Sequence, residues 1–350
     1  MKKLLIVSSN SIHLFNFYNL INSYFDYIDI ATDSINDKFE YKNANLYKFN
    51  FSIKEPFKFL ISFFQLKKLL KTNKYSLIHI HQVSTAALMT ILAAKKSKIP
   101  IVLTAWGSDV LLTPHKGFFY RKMVKYVINN SNICTADAEY VIQEIQKITN
   151  KNIPVKQVIL SNIQNPPDSL PEKGKIIYSN RLLKSIYRID VIIYAFERFL
   201  KNSTDRDWQL IIAGEGDDKA RLAYIVENRL LGNNVKFVGW LSKEKNYEYY
   251  SKAKLYVSIP LSDGTPTSLL EAMSFGCIPV VSDLPAYHEW IKNKVNGLII
   301  NDLNTNFLDE ALKIDNINAW QINRNILLQK ATIDVNKIKF IDIYNELINK

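Results

Sequence analysis

The sequence predicts an α/β protein with two open, doubly wound parallel sheets, and three observations lead to this class. Short apolar runs suited to buried strands alternate with longer stretches of helical periodicity. The alternation is interrupted by a proline-containing break near residues 150–172 and then starts again. A length of 350 residues is large for one hydrophobic core and sufficient for two.

Composition and charge restrict the function classes. A hydrophobic content of 47% with 22% charged residues is typical of globular proteins. Residues 1–172 carry 21 Lys and Arg against 12 Asp and Glu, a net charge of +9, whereas the remainder carries 24 against 21, or +3. This asymmetry suggests an anionic partner such as lipid head groups or a phosphorylated acceptor, although a generally Lys- and Asn-rich composition explains it equally well. No nucleic-acid-binding module is recognisable, so nucleic acid is not an expected partner.

The cysteines and the first residues indicate the compartment. Cys134 and Cys277 lie in apolar contexts, so a disulfide framework is not expected and a reducing, cytoplasmic setting fits. The four apolar residues before Ser8 are too few for a signal sequence and predict a first strand. No apolar run approaches the roughly 18 residues of a membrane span.

Taken in order, the apolar runs predict the strands of each half. In the first half they are Leu4–Val7, Tyr27–Ala31, Leu77–Ile80, Ile101–Leu103, Asn132–Thr135 and Gln157–Leu160. In the second half they are Lys175–Tyr178, Trp208–Ala213, Asn234–Val238, Leu255–Ile259 and Ile278–Val281, alternating with helices near 189–202, 217–230, 243–252 and 267–275. Ligands of such sheets bind outside the carboxyl ends of the strands, so the loops that follow them are expected to hold the site.

These elements define the predicted domains. Residues 1–165 form the first domain, residues 166–172 a linker marked by paired prolines, and residues 173–333 the second domain. Residues 334–350 are amphipathic and predict a terminal helix that could return to the first domain.

One predicted helix of the first domain, residues 54–71, is basic and rich in aromatic residues. It could pack its apolar side on the sheet. The alternative is that Phe57, Phe63 or Phe64 contacts an anionic membrane surface together with the neighbouring lysines, which are Lys58, Lys67 and Lys68.

The stretch from Leu261 to Pro279 has the features of a phosphate-binding helix start. Pro266 suits the first turn of a helix over residues 267–275, and Gly276 suits its end. The free N–H groups of Thr267 and Ser268 would point out of the helix N-terminus, where an anion is favoured.

Two carboxylates flank that helix start. Asp263 and Glu271 are eight positions apart, one before the helix and one two turns into it. An anion site between two acids that can accept hydrogen bonds from hydroxyl groups suits a nucleotide-sugar. An ordinary strand–loop–helix with an acid at each end is the alternative.

This stretch resembles the acidic-x7-Glu motif of the retaining, GT-B-fold glycosyltransferases of family 4, the glycosyl transferases group 1. The resemblance implies a GT-B architecture, in which two Rossmann-like domains face each other across a cleft. It also implies that Glu271 holds the ribose, and that Thr267 and Ser268 hold the diphosphate. The residues implied to hold the sugar are Asp263, Gly264, Thr265 and Pro266. The first acid of the family is usually Glu, so Asp263 has a shorter reach, and Pro266 lacks a donor.

Other loops of the second half match the family's donor site. Ser179-Asn180-Arg181 is similar to the family's Gly-Arg-Leu loop, which implies that Arg181 clamps the diphosphate. Lys184 or Arg188 would be the second cation, with Arg188 slightly favoured because a guanidinium matches phosphate geometry. Gly214 belongs to a Gly-x-Gly turn near the nucleotide. Trp240 could stack on the base or pack in the core.

In the first half the resemblance implies the acceptor side and the reacting groups. His79 and His81 are expected on opposite sides of the sheet end, with His81 near the cleft. Thr104–Asp109 is similar to a Thr-x-His-Gly-Ser-Asp loop whose His lies beside the transferred sugar, but here that position is Trp106. An indole cannot shuttle protons, so Asp109, His81, His115 or the leaving phosphate must do so. Asp109 could instead be a helix N-cap.

Acceptor contacts are expected from four residues of the first half. Asn10 and Ser11 follow the first strand, where the family often has a glycine-rich loop. Arg121 lies on a predicted helix after His115, where relatives place a basic residue on a phosphorylated acceptor. For His115 and Arg121, the alternative is a basic helix face that is exposed to solvent.

The expected function is transfer of a sugar from a nucleotide-diphosphate donor, with UDP as the expected nucleotide, to a hydroxyl of a glycan or lipid-linked glycan. The expected context is bacterial cell-surface polysaccharide synthesis, in the cytoplasm or at the inner face of the membrane. No Asp-x-Asp metal motif is present in the expected place, so neither a metal nor a cofactor is expected. A sugar-nucleotide epimerase or hydrolase, or a non-catalytic glycan- or nucleotide-binding protein, are the alternatives.

Overall fold

The chain divides into two compact units. The structure is a computed structural model that describes residues 1–35, 39–160, 163–264 and 267–349. Residues Met1–Asn162 and Ile333–Lys350 belong to unit 1, and residues Ile163–Thr332 belong to unit 2. The sequence had suggested a boundary between residues 165 and 166.

Unit 1 is built on a parallel sheet that has seven strands within the described ranges. The strands are β1 (Lys3–Val7), β2 (Tyr27–Thr32), β3 (Ala44–Lys48), β4 (Leu77–His81), β5 (Ile101–Thr104), β6 (Ile133–Ala136) and β7 (Val155–Gln157). Their order is β3-β2-β1-β4-β5-β6-β7. The chain reverses its winding direction between β1 and β4, and such a reversal is where open α/β sheets bind ligands.

Helices cover both faces of this sheet. They are α1 (Ile12–Ile21), α2 (Pro56–Thr72), α3 (Thr85–Ala94), α4 (Ser108–Leu111), α5 (Phe118–Asn129) and α6 (Glu139–Ile148). The inward residues of α2, α3, α5 and α6 form one apolar core with the sheet, and those of α1 form another on the opposite face. The hydroxyl of Ser11 caps α1 and that of Ser84 caps α3, which fixes where these helices begin.

Unit 2 repeats the arrangement with a parallel sheet of six strands in the part of the chain that is described. The strands are β8 (Ile176–Ser179), β9 (Gln209–Ala213), β10 (Val235–Gly239), β11 (Leu255–Ser258), β12 (Ile278–Ser282) and β13 (Leu298–Ile300), in the order β10-β9-β8-β11-β12-β13. The helices are α7 (Ile189–Asn202), α8 (Lys219–Asn228), α9 (Lys243–Lys252), α10 (Thr267–Ser274), α11 (Pro285–His288), α12 (Phe307–Leu312) and α13 (Asn316–Lys330). The predicted α/β class with two doubly wound parallel sheets is confirmed.

Helix α14 (Ile333–Ile348) follows unit 2 in sequence but completes unit 1. Phe340, Ile343 and Tyr344 are buried in the same core as the inward residues of α1 and β1. The Asn336 side chain accepts a hydrogen bond from the Ile159 N–H at 2.9 Å. The second sheet face of unit 1 is therefore covered by two helices from distant parts of the sequence. Within the described ranges, no helix is long and apolar enough to cross a bilayer.

Several predicted elements differ from the structure. Strand β3 escaped prediction because it is a half-exposed edge strand without an apolar run, and β13 because it has only three residues. The strand expected at Gln157–Leu160 lies earlier, at β7. The polar stretch after Asn301 contains α12 and α13, whose inward residues are too few to give a clear period.

Candidate functional site

The segment from β11 to α10 holds the acidic residues that the sequence singled out. Asp263 follows β11, and its Oδ1 accepts a hydrogen bond from the Gly264 N–H at 3.0 Å. Its Oδ2 accepts from the Tyr287 hydroxyl at 3.1 Å and lies 2.8 Å from the Arg181 guanidinium. Burial raises the pKa of the Asp263 carboxyl, and the Arg181 charge opposes that rise. The carboxylate is thus held in a fixed orientation by a cation and a hydroxyl.

Arg181 joins the β8 loop to the start of α10. Its Nη2 pairs with Asp263, and its Nη1 donates to the Ser268 hydroxyl oxygen at 3.2 Å. The Tyr256 hydroxyl donates to the same oxygen at 2.8 Å, and the Tyr187 ring lies 4.6 Å from the guanidinium carbon. A fixed guanidinium beside a helix N-terminus is an arrangement that favours a phosphate group.

Glu271 lies about one turn into α10, and a hydroxyl group orients its carboxylate. Its Oε2 accepts a hydrogen bond from the buried Tyr250 hydroxyl at 3.2 Å, and that hydroxyl accepts one from the Asn180 side chain at 2.7 Å. Burial raises the pKa of Glu271, whereas the Tyr250 hydrogen bond and the Lys243 charge lower it.

Glycines allow two loops of unit 2 to touch. A Cβ added to Gly214, which has a φ of +127°, would lie 2.5 Å from the Arg181 carbonyl oxygen. A Cβ on Gly216 would lie 2.3 Å from the Leu183 carbonyl oxygen. The Gly-x-Gly turn therefore supports the loop that carries Arg181, because only a residue without a side chain allows this approach.

A cavity of about 280 Å³ opens at the carboxyl ends of β8, β9 and β10. Trp240 lines it and is 75% exposed, which contradicts the alternative that this indole packs in the core. The other lining residues include Asn180, Arg181, Tyr187, Gly214 and Asn246. An exposed indole beside an amide and a guanidinium suits a flat, polar ring such as a nucleobase.

The structure says less about the roles of the remaining donor-site candidates. Lys184 is exposed and Arg188 is half-buried, and neither side chain has a hydrogen-bond or ion-pair partner among the residues described. Arg188 has a φ of +52° and directly precedes α7. Thr267 begins α10 and is exposed. Thr265 and Pro266 lie outside the described residues, and their roles stay predictions.

In unit 1, His79 and His81 occupy the same side of β4, so the expectation of opposite sides was wrong. Side chains alternate along a strand, and positions two apart share a face; the two ring centroids are 4.9 Å apart. The ring nitrogens of His79 lie 2.8 Å from the Tyr344 hydroxyl and 2.7 Å from the Thr104 hydroxyl. His79 is therefore a structural residue with both nitrogens occupied.

His81 has the opposite character, since neither ring nitrogen has a partner in the described chain. Burial and then the nearby His13 lower the pKa of His81 to about 3, so the imidazole is neutral at ordinary pH. A buried polar group without a partner calls for a ligand or an ordered water.

The loop after β5 places Trp106 and Asp109 beside His81. The Trp106 ring lies 5.9 Å from that of His81, and its Nε1 also lacks a partner among the described residues. Asp109 is buried, and its oxygens accept hydrogen bonds from the Val83 N–H at 2.7 Å and the Trp106 N–H at 3.0 Å. The N-cap alternative for Asp109 is wrong, because Gly107 occupies that position of α4. This carboxylate joins the loops after β4 and β5.

The acceptor-side candidates divide into two groups. The Asn10 side-chain oxygen accepts from the Tyr41 hydroxyl at 2.9 Å, and its Nδ2 has no partner in the described ranges. The Ser11 hydroxyl is occupied by the N-cap of α1. His115 and Arg121 are exposed, on a 3-10 turn and on α5.

A larger cavity of about 610 Å³ opens at the carboxyl ends of β1 to β4 in unit 1. His81 and the first residues of α3 line it on one side. It is also lined by polar and charged residues at the ends of β1 to β3, in the loop before α2 and at the start of α2, which include Ser9, Asp33, Lys48, Asn50, Ser52 and Lys58. Its mixed polarity suits a molecule with both hydroxyl and anionic groups.

Sequence reasoning missed the tyrosines that organise the donor side. Tyr250, Tyr256 and Tyr287 are buried. The Tyr250 hydroxyl donates a hydrogen bond to Glu271, that of Tyr256 to Ser268 and that of Tyr287 to Asp263. The signal that could have found one of them is Tyr256 in the fully buried β11, because a buried tyrosine hydroxyl needs a partner. Among the described residues, no three His, Cys, Asp or Glu side chains are grouped to hold a metal ion.

Comparisons with known proteins match both halves of the chain. A family model described as Glycosyl transferases group 1 matches residues 161–314, and one described as Glycosyl transferase 4-like matches residues 2–138. The chain is 25% identical over 325 residues to UDP-Gal:alpha-D-GlcNAc-diphosphoundecaprenol alpha-1,3-galactosyltransferase of Escherichia coli, covering 85% of this chain and 80% of that protein. It is 20% identical over 278 residues to N-acetyl-alpha-D-glucosaminyl L-malate synthase of Bacillus anthracis, covering 75% and 70%.

Solved structures share the fold along the whole chain. A glycosyltransferase from Rickettsia africae superimposes with a TM-score of 0.80 at 15% identity, covering 100% of this chain and 99% of the other. Anabaena Alr3699/HepE, solved in complex with UDP and glucose, gives a TM-score of 0.74 at 13% identity, covering 99% and 100%.

Proposed function

The chain belongs to the GT-B glycosyltransferases, and we propose that it transfers a sugar from a UDP-sugar to a hydroxyl of a lipid-linked glycan. The transfer retains the configuration at the anomeric carbon and uses no bound metal. The product is part of a bacterial cell-surface polysaccharide.

The observation that carries this proposal is the position of Arg181 at the start of α10. Its guanidinium reaches both Asp263 and Ser268, at 2.8 Å and 3.2 Å. An incoming diphosphate competes with Asp263 for the same cation and also meets the positive end of the helix. When the diphosphate binds Arg181, Asp263 is released toward the sugar while Tyr287 continues to orient it.

The nucleoside is assigned to the cavity beside Trp240. Glu271 on α10 accepts hydrogen bonds from the ribose hydroxyls, and the base stacks on the indole. UDP is favoured because the named relative from Escherichia coli uses UDP-Gal and HepE was solved with UDP. The cavity volume of about 280 Å³ fits a single base with part of its ribose.

The reaction breaks the bond between the anomeric carbon and the diphosphate oxygen and forms a bond from that carbon to the acceptor oxygen. Arg181 and the N-terminus of α10 stabilise the charge that develops on the departing diphosphate. With a pKa of about 3, the His81 imidazole is too weak a base to take the acceptor proton, the indole of Trp106 has no basic nitrogen, and Asp109 is occupied by two backbone N–H groups. We therefore assign the proton of the acceptor hydroxyl to the departing diphosphate oxygen.

The acceptor is assigned to the cavity of unit 1. His81 lines it and has unpartnered nitrogens that can hydrogen-bond to sugar hydroxyls, the Trp106 ring lies 5.9 Å from that of His81, and Lys48 provides a positive charge. A lipid-linked acceptor is favoured by the name of the relative from Escherichia coli, whose acceptor is a diphosphoundecaprenol.

Nucleotide binding tests the donor site. Thermal unfolding with UDP, GDP, TDP, CMP and their sugars should show a selective rise with UDP compounds, because a ligand at about 100 times its Kd adds about 2.7 kcal/mol. Arg181→Ala should remove that rise and reduce transfer by about 100-fold or more. A wild-type response of Arg181→Ala would contradict the proposal.

Turnover separates the proposal from its rivals. Retention is checked by NMR of the product anomer, and metal independence by unchanged rates in EDTA. Consumption of the donor without any acceptor would indicate an epimerase or hydrolase. Nucleotide binding without turnover on any lipid-linked glycan would favour a binding protein, an alternative that Trp106 in the usual His position supports.

A further inference from the structure

Helix α2 of unit 1 has a second apolar stripe that the protein leaves uncovered. Four large residues spaced as on one side of a helix are 52% to 82% exposed, and they are Phe57, Leu60, Ile61 and Phe64. On the opposite side of α2, Leu66 and Leu70 are buried in the core. Phe63, which the sequence grouped with the exposed residues, packs against that core. A helix that is apolar on both sides normally has both sides covered.

The start of α5 adds a second exposed apolar group. Phe118 is 73% exposed and Phe119 is 50% exposed. Helix α3 packs against both α2 and α5, and the three helices contribute to one core on one face of the sheet. Each of them runs back from the carboxyl end of one strand to the beginning of the next, so each begins at the same edge of the sheet. We call this set of six exposed residues the α2–α5 face.

Basic residues surround the α2–α5 face. Lys67, Lys68 and Lys71 continue the exposed side of α2, and the Lys122 ammonium lies 4.3 Å from the centre of the Phe118 ring. Neither α2 nor α5 contains an Asp or Glu, and Glu55 before α2 is paired with Lys58 at 3.0 Å. Aromatic and aliphatic residues next to lysines, without acids, are the composition of helices that lie in a membrane interface.

We propose that the α2–α5 face lies on an anionic lipid surface, with its aromatic residues in the head-group region and its lysines on lipid phosphates. The lipid contact deepens the proposed function and rests on it, because a lipid-linked acceptor is what would bring the enzyme to a lipid surface. The carboxyl-end edge where α2 and α5 begin is also the edge at which the 610 Å³ cavity opens. A sugar on a lipid diphosphate would therefore reach the cavity from the same surface to which the enzyme is bound.

Sedimentation with lipid vesicles tests the proposal on the full chain. Wild-type protein should pellet with vesicles of equal parts phosphatidylglycerol and phosphatidylcholine, pellet less in high salt, and stay in solution with phosphatidylcholine alone. Phe57→Ser with Phe64→Ser should weaken binding to the anionic vesicles by about tenfold or more, since both rings leave the interface. The matched control is Tyr224→Ser with Ile317→Ser, which removes two large residues of unit 2 that are also exposed, at 65% and 60%, and should bind like wild type.

Three outcomes would overturn the proposal. The first is no vesicle binding by the wild type, and the second is equal binding by the Phe57/Phe64 variant. The third is a wild-type dimer in the absence of lipid that becomes a monomer in this variant, which would make the face a contact between copies of the chain. UDP binding is measured on the same variants and should be unchanged. Vesicle binding without UDP binding would overturn the proposed function and leave the lipid surface standing.

Discussion

Glu271 and Asp263 are both half-buried acids, but they differ in how their charge is stabilised. Asp263 pairs directly with Arg181, whereas the closest hydrogen bond to Glu271 comes from the neutral Tyr250 hydroxyl. Burial raises the pKa of Glu271 above its usual 4.5, and the Tyr250 hydrogen bond limits that rise. The protonation of Glu271 should therefore control how donor binding responds to acid.

A pH series of UDP-sugar affinity checks this expectation. Affinity should fall as the pH drops through the raised pKa of Glu271, because a protonated carboxyl accepts ribose hydroxyls poorly. Tyr250→Phe removes a hydrogen bond that stabilises the ionised form, so its midpoint should move to higher pH. The measurement is calorimetric titration at each pH.

The control is Glu271→Gln, which should bind weakly at neutral pH and show a flatter response to acid. The same midpoint in wild type and Tyr250→Phe would mean that another group governs the acid response. Asp263 would then be the first residue to examine, since burial raises its pKa as well.

At the scale of elements, the donor site depends on the contact between the Gly-x-Gly turn after β9 and the loop after β8. Gly216 is suited to test it, because an added methyl would lie 2.3 Å from the Leu183 carbonyl oxygen. Gly216→Ala should displace the Arg181 loop, lower stability by about 1–3 kcal/mol and weaken UDP binding by about tenfold. Calorimetry and thermal unfolding measure both effects.

Gly232→Ala is the matched control, since no heavy atom lies within 4 Å of a methyl at that position. It should leave UDP binding unchanged. Equal effects of the two substitutions would show that the Gly216 contact does not position Arg181.

In unit 2, the sequence predicted an element most accurately where residues typical of helix ends mark its limits. Helix α10 begins at Thr267 as expected and ends one residue before the predicted end, two residues before Gly276, whose φ is +78°. The contact of Tyr287 with Asp263 could not be predicted in the same way, because it joins residues 24 positions apart and depends on β12 lying beside β11. Site residues that belong to a motif were foreseeable, and those that support the motif from another helix, such as Tyr287 on α11, were not.

At the scale of the whole molecule, unit 1 is discontinuous in sequence. The core that covers one face of its sheet includes Phe340 and Tyr344 of α14, and the Tyr344 hydroxyl lies 2.8 Å from His79 on β4. The sequence predicted a terminal helix from its apolar spacing. The partners of that helix are set by tertiary packing, which spacing alone does not contain.

A chain that stops before Ile333 should have a destabilised unit 1, because β1 and β4 lose part of the cover of one sheet face and keep only α1 there. Hydrogen exchange of the β4 amides should become faster in this shortened chain. A milder change in the full chain is Tyr344→Phe, which leaves one His79 nitrogen unpaired and should lower the free energy of unfolding by about 1–3 kcal/mol. The β11 amides of unit 2 serve as the internal reference. Unchanged protection of β4 in the shortened chain would mean that α14 is not part of the core.

The same helix imposes a sequence of events during biosynthesis. Tyr344 is added 265 positions after His79. At about 5–20 residues per second, a ribosome needs on the order of tens of seconds to supply the missing helix, during which α1 alone covers one face of the first sheet. The nascent first unit must therefore wait for the second to be translated, and a chaperone that shields the incompletely covered face in this interval would protect the protein from aggregation.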